Sequence, residues 1–379
     1  MIESIHRPSR IIVDLDAISY NLAQEVARLD KDQHLFAVVK ANAYGHGAIE
    51  VAKLAESSNI VDGLCVSNLD EAIELRDAGI CLPILVLSYV NPNFIPLANE
   101  YNIMLTASSL SWLEEASDVL SKAKTNKPCV IHLKIDSGMG RIGLREETEW
   151  LKAKSLLTTQ PYFELNGLFT HFATADSQDE SYVLLQQSRF DKALQVFSDM
   201  NIPYIHTSNS ATALWHGAWK SNLIRFGDAM YGLNPSGKEL ELPYELKPAL
   251  SLESKIIHVK KVKKGEKIGY GATYEARGDE WIATLPIGYA DGLLRRFQGY
   301  EVIVDGQLAE IVGRVCMDQC MIRLPHKLPI GTPVTIFGEN QKRNNSIEDA
   351  AEYVGTINYE IICGLSDRLP RIYRQVEGN

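Results

Sequence analysis

The chain has 379 residues, of which 45% are hydrophobic, and this is enough for two domains with substantial cores. Its formal net charge is −10 with no long basic run, which argues against nucleic acid or an anionic membrane as a partner. No apolar signal-peptide core follows the first residues, and no stretch approaches membrane-spanning length. The six cysteines are scattered and mostly lie in apolar runs, so we expect a cytoplasmic protein without disulfide bonds.

From residue 10 to about residue 232, short apolar runs alternate with amphipathic stretches, a pattern that predicts parallel βα units. The predicted strands are Arg10–Leu15, Leu35–Lys40, Gly63–Val66, Pro83–Leu87, Ile103–Leu105, Cys129–Ile135, Leu165–Phe169, Tyr204–His206 and Leu223–Arg225. The predicted helices are one capped by Asp16, one opening at Asn91, and Ala48–Ser57, Leu69–Ala78, Ser109–Ala123, Glu146–Ser155 and Ser181–Met200. Their number suits a closed eight-fold (β/α) barrel. An open doubly wound sheet is the alternative, although no G-x-G-x-x-G follows any strand.

The composition changes after residues 234–237, Asn-Pro-Ser-Gly, and the chain then predicts short strands separated by turns. These strands are Ser251–Val262, Trp281–Leu285, Tyr300–Val304, Ala309–Val312, Gln319–Arg323 and Val334–Phe337, with one helix at Ser346–Tyr353. We therefore predict an α/β barrel over residues 1–236, followed by a mainly β domain over residues 237–379.

The most informative stretch is residues 38–47, Val-Val-Lys-Ala-Asn-Ala-Tyr-Gly-His-Gly, which follows an apolar predicted strand. Lys40 thus ends a strand, where α/β barrels hold their chemistry, and lysine is the residue that forms Schiff bases with carbonyl cofactors. On position alone, a solvated surface lysine is the better interpretation. The whole string, however, resembles the pyridoxal-phosphate attachment motif of alanine racemases. That motif is long and specific.

The resemblance to alanine racemases extends over nearly the whole chain in several separate motifs. It implies a pyridoxal 5'-phosphate-dependent isomerase that interconverts L-alanine and D-alanine and supplies D-alanine for peptidoglycan. The cofactor provides an electron sink for a weakly acidic Cα–H, and racemisation needs one base on each face of that carbon. The family is also homodimeric with shared active sites, so Lys40 would work with Tyr270 of the other subunit.

By this resemblance Lys40 carries the cofactor and acts as one base, and Tyr270, within residues 268–274, acts as the other. Arg225 matches the arginine that faces the pyridine nitrogen, where it donates a hydrogen bond but keeps its proton. Related barrel decarboxylases place an acid there. His171 would link Tyr270 to Arg225, with a satisfied core histidine as the alternative, and His206 has a supporting role.

The phosphate site implied by the resemblance consists of Tyr44, Ser210, Tyr359 and the backbone at Gly227. Late-strand loops of barrels commonly bind phosphate through backbone N–H groups. Asp228 follows where an apolar residue is expected, and its carboxylate would repel a phosphate dianion. We therefore expect its side chain to point away from the phosphate.

Substrate recognition is assigned by resemblance to Arg141, within residues 134–143, and to Met317, within residues 313–319. An arginine suits a planar carboxylate. Lys134 matches a lysine that some relatives carry as a carbamate that orients this arginine. Asp318, next to Met317, is given a supporting role. Tyr289, together with Asp291, resembles the entrance region of the family.

The same sequence suggests two rival functions and a possible metal site. A racemase of another small amino acid, such as serine, remains an alternative. A non-catalytic pyridoxal-phosphate carrier is disfavoured, because those chains stop near the end of the barrel and lack a domain with Tyr270, Met317 and Tyr359. Cys316 and Cys320 have loose metal-ligand spacing without a second Cys or His pair nearby, so we predict no metal site.

Overall fold

The computed structural model describes residues 3–123, 127–217 and 219–375. The outer ends of the two predicted domains, residues 1–2 and 376–379, lie outside the described residues. The strands are β1 Arg10–Asp14, β2 His34–Val38, β3 Gly63–Val66, β4 Ile84–Val86, β5 Ile103–Ala107, β6 Cys129–Lys134, β7 Phe163–Phe169, β8 Tyr204–His206, β9 Leu223–Phe226, β10 Leu250–Lys255, β11 His258–Val262, β12 Lys267–Ile268, β13 Tyr274–Glu275, β14 Glu280–Leu285, β15 Glu301–Val304, β16 Gln307–Glu310, β17 Cys320–Leu324, β18 Pro333–Asn340, β19 Arg343–Asn345 and β20 Arg371–Arg374. The helical segments are α1 Leu15–Val26, α2 Lys40–Tyr44, α3 Ala48–Ser58, α4 Leu69–Asp77, α5 Ile95–Glu100, α6 Leu110–Lys122, α7 Glu147–Thr159, α8 Ser181–Val196, α9 Ser210–Trp215, α10 Ile347–Val354 and α11 Asn358–Cys363.

Strands β2 to β9 form a sheet of eight parallel strands with the order β8-β7-β6-β5-β4-β3-β2-β9. The first and last strands of this order approach each other through isolated hydrogen bonds, such as Asn222 N to Ile205 O at 2.9 Å and Arg225 N to Ser208 O at 3.0 Å. The strands are short apolar runs because both of their faces are buried, as β3 and β5 illustrate. The predicted eight-fold barrel is confirmed, and the open doubly wound sheet is wrong.

The first predicted strand does not belong to the barrel. β1 pairs antiparallel with β10 and parallel with β20, so it lies inside the sheet of the second domain. Sequence reasoning placed it in the barrel because it directly precedes α1, but its pairing partners lie more than 230 residues away. The cap of α1 also differs from the prediction, since Asp14, not Asp16, accepts a hydrogen bond from Ala17 N at 2.9 Å.

The second domain is mainly β, as predicted. Its largest sheet has the order β16-β15-β18-β10-β1-β20 with β19 beside β18, and smaller sheets join β11-β14-β17 and β12-β13. The single predicted strand Ser251–Val262 is two strands, β10 and β11, which belong to different sheets. After β19, helices α10 and α11 bring the chain back to the mouth of the barrel, where Tyr359 on α11 packs 6.0 Å from Tyr44 between ring centroids.

All six cysteines are free thiols, and three of them, Cys65, Cys129 and Cys320, are buried in the core. Within residues 3–123, 127–217 and 219–375, no helix has the length and apolar character needed to cross a membrane.

Candidate active site

A cavity of about 350 Å³ opens at the C-terminal ends of the barrel strands. This is where α/β barrels hold their functional groups, and the volume is in the range of small-molecule sites. The cavity brings together most of the predicted site residues, namely Lys40, Tyr44, Lys134, Arg141, His171, Ser210, Arg225, Gly227 and Tyr359. They come from the ends of five barrel strands, β2, β6, β7, β8 and β9, and from the second domain, so both domains line the cavity.

Lys40 begins a left-handed turn of the backbone. Residues Ala41, Asn42, Ala43 and Tyr44 all have φ between 52° and 54°, a conformation that costs a non-glycine residue roughly 1–2 kcal/mol. The turn is held by Ala43 N donating to Val39 O at 2.8 Å and by Ala48 N donating to the Asn42 side chain at 2.8 Å. Strain of this kind persists where surrounding bonds fix it, and here it directs both Lys40 and Tyr44 into the cavity.

Glu71 ties the left-handed turn to the next barrel strand. Its carboxylate accepts hydrogen bonds from Ala41 N at 2.8 Å and from Ser67 N at 2.6 Å. The same carboxylate therefore connects the residue after Lys40 with the residue after β3. No motif in the sequence pointed to this role, because Glu71 reads as an ordinary acidic residue in the first turn of α4.

The amine of Lys40 lies in a site that favours its neutral form. Burial lowers its pKa from the ordinary lysine value, and the nearby Arg141 guanidinium lowers it further. The amine lies 5.8 Å from the ring centroid of Tyr44. A neutral lysine amine is both a nucleophile toward carbonyl groups and a base.

Arg225 is a buried cation, 3% exposed, on the last barrel strand. Its guanidinium donates to Nδ1 of His206 at 2.8 Å and to the carbonyl oxygens of Thr170 at 3.0 Å and Thr207 at 3.2 Å, with Nδ1 of His171 at 3.4 Å. Burial lowers the pKa of Arg225 to about 10, so the group remains charged at neutral pH. The predicted contact between His171 and Arg225 is present.

The hydrogen-bond chain behind Arg225 continues to a histidine that the sequence reasoning missed. Nε2 of His206 lies 2.8 Å from Nδ1 of His132. Burial lowers the pKa of His132 to about 3 and that of His206 well below the ordinary value, so both rings are neutral. Gly167 makes room for the His132 ring, because a Cβ there would lie 2.2 Å from its Nδ1.

The hydrogen bonds from Arg225 through His206 to His132 allow one arrangement of protons. An arginine can only donate, so Nδ1 of His206 must accept, and the ring's proton is then on Nε2. His206 therefore donates to Nδ1 of His132, whose own proton is in turn on Nε2. His206 is thus a fully buried partner of Arg225 and does not line the cavity.

The opposite end of the cavity is a cup of polar groups. Ser210 accepts a hydrogen bond from Gly227 N at 2.8 Å, and Tyr44 packs against Gly227 so closely that a Cβ there would lie 2.8 Å from the Tyr44 hydroxyl. Tyr359 completes the cup from the second domain. Burial raises the pKa of both tyrosines, so they stay protonated and can donate.

Asp228, whose side chain was expected to point away from the phosphate, borders the cavity as a residue and is 1% exposed. Both of its carboxyl oxygens are buried, and the Tyr359 hydroxyl lies beside the carboxyl group.

Arg141 and Lys134 lie on the same wall of the cavity. Arg141 is exposed, and Lys134 is buried with its amine 3.1 Å from Ile135 O and 5.0 Å from the ring centroid of Phe169. Burial and then the Arg225 charge lower the pKa of Lys134 well below the ordinary value, which favours the uncharged amine. Phe169, which also packs beneath the Arg225 guanidinium, was not predicted as a site residue.

The remaining predicted residues lie outside the cavity of this chain. Tyr270, Met317 and Tyr289 are 68%, 54% and 41% exposed and do not line it. Asp318 forms an ion pair with Arg368 at 2.7 Å on the second domain. Asp291, expected near the entrance, is fully buried and forms an ion pair with Arg7 at 2.6 Å.

Other lining residues were missed although a signal for them existed. Ser67, Leu87 and Ser88 follow β3 and β4 directly and line the cavity. Residues that directly follow a barrel strand are candidates for the functional site, and two of these three residues are polar. Asn209 and Ala211, which flank Ser210, belong to the same group.

Comparison with known proteins identifies the family. The model of the alanine racemase N-terminal domain matches residues 13–235, and that of the C-terminal domain matches residues 249–373. An alanine racemase from Pediococcus pentosaceus is 49% identical over 375 residues, 99% of each chain, and one from Streptococcus suis is 51% identical over 373 residues, 98% of this chain and 100% of the relative. The crystal structure of alanine racemase from E. faecalis has a TM-score of 0.96 and 49% identity, covering 99% of this chain and 100% of that one.

The fold and the comparisons therefore define a racemase of the barrel type. The chain belongs to the alanine racemase family, whose members are isomerases that depend on pyridoxal phosphate.

The proton arrangement behind Arg225 gives a first prediction. In protein labelled with ¹⁵N-histidine, long-range ¹H–¹⁵N correlation should show His206 and His132 as neutral rings protonated on Nε2. His132→Asn keeps an acceptor near the Nδ1 position and should leave the His206 tautomer unchanged, which also assigns the His132 signals. A His206 ring protonated on Nδ1 would contradict this proton arrangement, because Arg225 could then not donate a hydrogen bond to that nitrogen.

Proposed function

We propose that this chain interconverts L-alanine and D-alanine with pyridoxal 5'-phosphate bound in the cavity at the barrel mouth. One observation carries the proposal: a buried lysine amine with a lowered pKa, a buried arginine and a cup of hydroxyl groups converge on the same cavity. A racemase needs a carbonyl-reactive lysine, a partner for the pyridine nitrogen and a phosphate site.

The residues present fit the cofactor. The cup of Tyr44, Ser210, Tyr359 and the Gly227 backbone offers hydrogen-bond donors to a phosphate, and Gly227 leaves space beside the Tyr44 hydroxyl. Lys40 supplies the amine that holds the aldehyde carbon, and Arg225 supplies a donor for the ring nitrogen. When bound, pyridoxal phosphate is the electron sink that makes the Cα–H of an amino acid acidic enough to be removed.

Lys40 and Tyr270 are proposed as the two bases. The Lys40 amine takes a proton from the substrate Cα on one face, and in the opposite direction its ammonium form returns a proton to that face. The Tyr270 hydroxyl acts from the opposite face, as racemisation requires. Arg225 donates a hydrogen bond and keeps its own proton, which limits the strength of the electron sink and so disfavours side reactions such as transamination.

Arg141 is proposed to bind the substrate carboxylate, with the Met317 backbone close to the same group. Lys134 is proposed to orient Arg141. The uncharged amine is the form that reacts with carbon dioxide, and the lowered pKa of the buried Lys134 favours that form, which supports a carbamate at this position. Asp318, Tyr289 and His206 are proposed to support these residues.

The active site is proposed to be shared between the two subunits of a homodimer. Tyr270, Met317 and Tyr289 are exposed on one face of the second domain, where Gly271 approaches Arg314 and Tyr289 N donates to Cys316 O at 3.0 Å. The cavity of the same chain contains neither Tyr270 nor Met317. Tyr270 of the partner subunit would then face Lys40.

The division between the domains is proposed to lie after residue 236, with β1 as an N-terminal contribution to the second domain. The two family matches, which end at residue 235 and begin at residue 249, support this division. A cytoplasmic location is proposed from the free cysteines and the acidic composition.

Activity on alanine is the direct test of the proposed function. Cofactor-loaded protein should convert L-alanine to D-alanine, measured by chiral chromatography, and faster than it converts serine. Lys40→Ala should lose this activity, while Lys53→Ala, which changes an exposed lysine paired with Glu50, should retain it. Borohydride reduction should fix the cofactor on Lys40, and an adduct on another lysine would contradict the assignment.

Replacing the ring-nitrogen partner should change the outcome of the reaction. Arg225→Glu should lower racemisation and raise the share of transamination, because a carboxylate favours a protonated pyridine nitrogen and thus a stronger sink. The measurement is the ratio of pyruvate to D-alanine formed, with Arg225→Lys as the charge-preserving control. An unchanged ratio in a folded, cofactor-loaded Arg225→Glu variant would count against this role.

Mixed dimers test the shared site. Lys40→Ala and Tyr270→Phe, each inactive alone, are refolded together in equal amounts. Random pairing makes about half of the dimers mixed, and each has one intact and one doubly altered site, so about a quarter of the sites should recover. Background activity in a mixture that mass spectrometry shows to contain mixed dimers would rule out sharing.

A further inference from the structure

Asp228 is a buried carboxyl group in the wall of the phosphate cup. It follows Gly227, lines the cavity and is 1% exposed. Among the described residues, neither of its carboxyl oxygens completes a hydrogen bond of ordinary geometry. A buried charge without partners is costly, and so is a buried polar group that stays unpaired, so the group calls for a ligand-dependent explanation.

The groups around this carboxyl are neutral or acidic. Tyr359 and Cys363 face it from α11, Tyr44 from the left-handed turn, and Tyr231 from its own segment. Glu348 on α10 and Asp176 after β7 act on it from a greater distance. Burial raises the pKa of Asp228 well above the ordinary value, the nearby Tyr359 hydroxyl lowers it, and Glu348 and Asp176 raise it further. No cation is among the groups that shift this pKa.

Tyr359 connects Asp228 with any anion in the cup. Its hydroxyl lies beside the Asp228 carboxyl, and it has one proton to donate. If Asp228 is a carboxylate, that proton points to Asp228, and the hydroxyl presents a lone pair to the cup. If Asp228 is a neutral acid, it donates to Tyr359, and the proton of Tyr359 is free for the cup.

We propose that Asp228 is a positioning residue that acts as a neutral acid, donates to Tyr359 and thereby turns the Tyr359 proton toward the phosphate of the cofactor. The inference rests on the proposed function, because it takes the cup as the phosphate site. Phosphate binding then requires a proton on Asp228. Loss of that proton removes one donor from the cup and adds a negative charge beside a dianion, so both effects weaken binding.

Infrared spectroscopy tests the protonation state directly. In the complex of the apoprotein with pyridoxine 5'-phosphate, which has no aldehyde to react with Lys40, the spectrum should contain the C=O band of a protonated carboxyl group. The band should shift with ¹³C-aspartate labelling and should be absent in Asp228→Asn. A wild-type spectrum that shows Asp228 as a carboxylate would overturn the proposal.

Binding of pyridoxine 5'-phosphate gives the second measurement. Its affinity is followed above about pH 7, where a phosphate monoester with a pKa near 6 is a dianion. The infrared spectrum of the apoprotein shows the pH range in which Asp228 loses its C=O band and thus its proton. In that range the affinity of the wild type should fall by about tenfold per pH unit, which is the change linked to one proton. Asp228→Asn donates without titrating and should show no such fall, although it keeps Lys40, Cys363 and every other titrating group.

The controls separate this inference from the proposed function. Unphosphorylated pyridoxine should show the same pH dependence with wild type and Asp228→Asn, because it does not contact the cup. Loss of the infrared band with equal affinities of wild type and Asp228→Asn would overturn the role of Asp228 alone. Failure of pyridoxine 5'-phosphate to bind wild type at any pH would overturn both the cofactor site and this inference.

Discussion

A positive charge buried on the last barrel strand acts, together with burial, on the protonation of the groups around it. Arg225 is held by carbonyl oxygens and by Nδ1 of a neutral histidine. Its charge lowers the pKa of His132, His171, His206 and Lys134, in each case together with burial. Burial and the Arg225 charge thus act in the same direction and favour the uncharged forms of these groups. A carboxylate at this position would oppose the effect of burial.

The two ends of the cavity differ in formal charge. At one end, carbonyl oxygens and a histidine nitrogen accept hydrogen bonds from the Arg225 guanidinium, which keeps its proton. At the other end, tyrosine and serine hydroxyls and a backbone N–H offer donors without a formal charge, and Asp228 is buried among them. On the proposed function, a molecule with a basic ring nitrogen and a phosphate would be aligned in one direction along the cavity.

The second domain serves more than one purpose. It completes the cavity of its own chain with Tyr359, and it exposes Tyr270, Met317 and Tyr289 on another face. On the proposed assembly, each such domain supplies one residue set to its own barrel and another to its partner's. β1 and β20, from the two ends of the chain, lie side by side in the same sheet and make this domain depend on both termini.

The motifs and the alternation of strands and helices were sufficient to predict the barrel, the mainly β domain and the residues that converge at the barrel mouth. Such features depend on local chemistry, and a lysine, an arginine or a glycine at a strand end can be recognised without knowing its neighbours. What only the tertiary structure decided depends on pairs of residues far apart in the chain. The pairing of β1 with β10, the contact of Glu71 with Ala41, the chain from Arg225 through His206 to His132, and the burial of Asp228 beside Tyr359 each join segments that no local pattern connects. Charge state follows burial and neighbours, and both exist only in the folded chain.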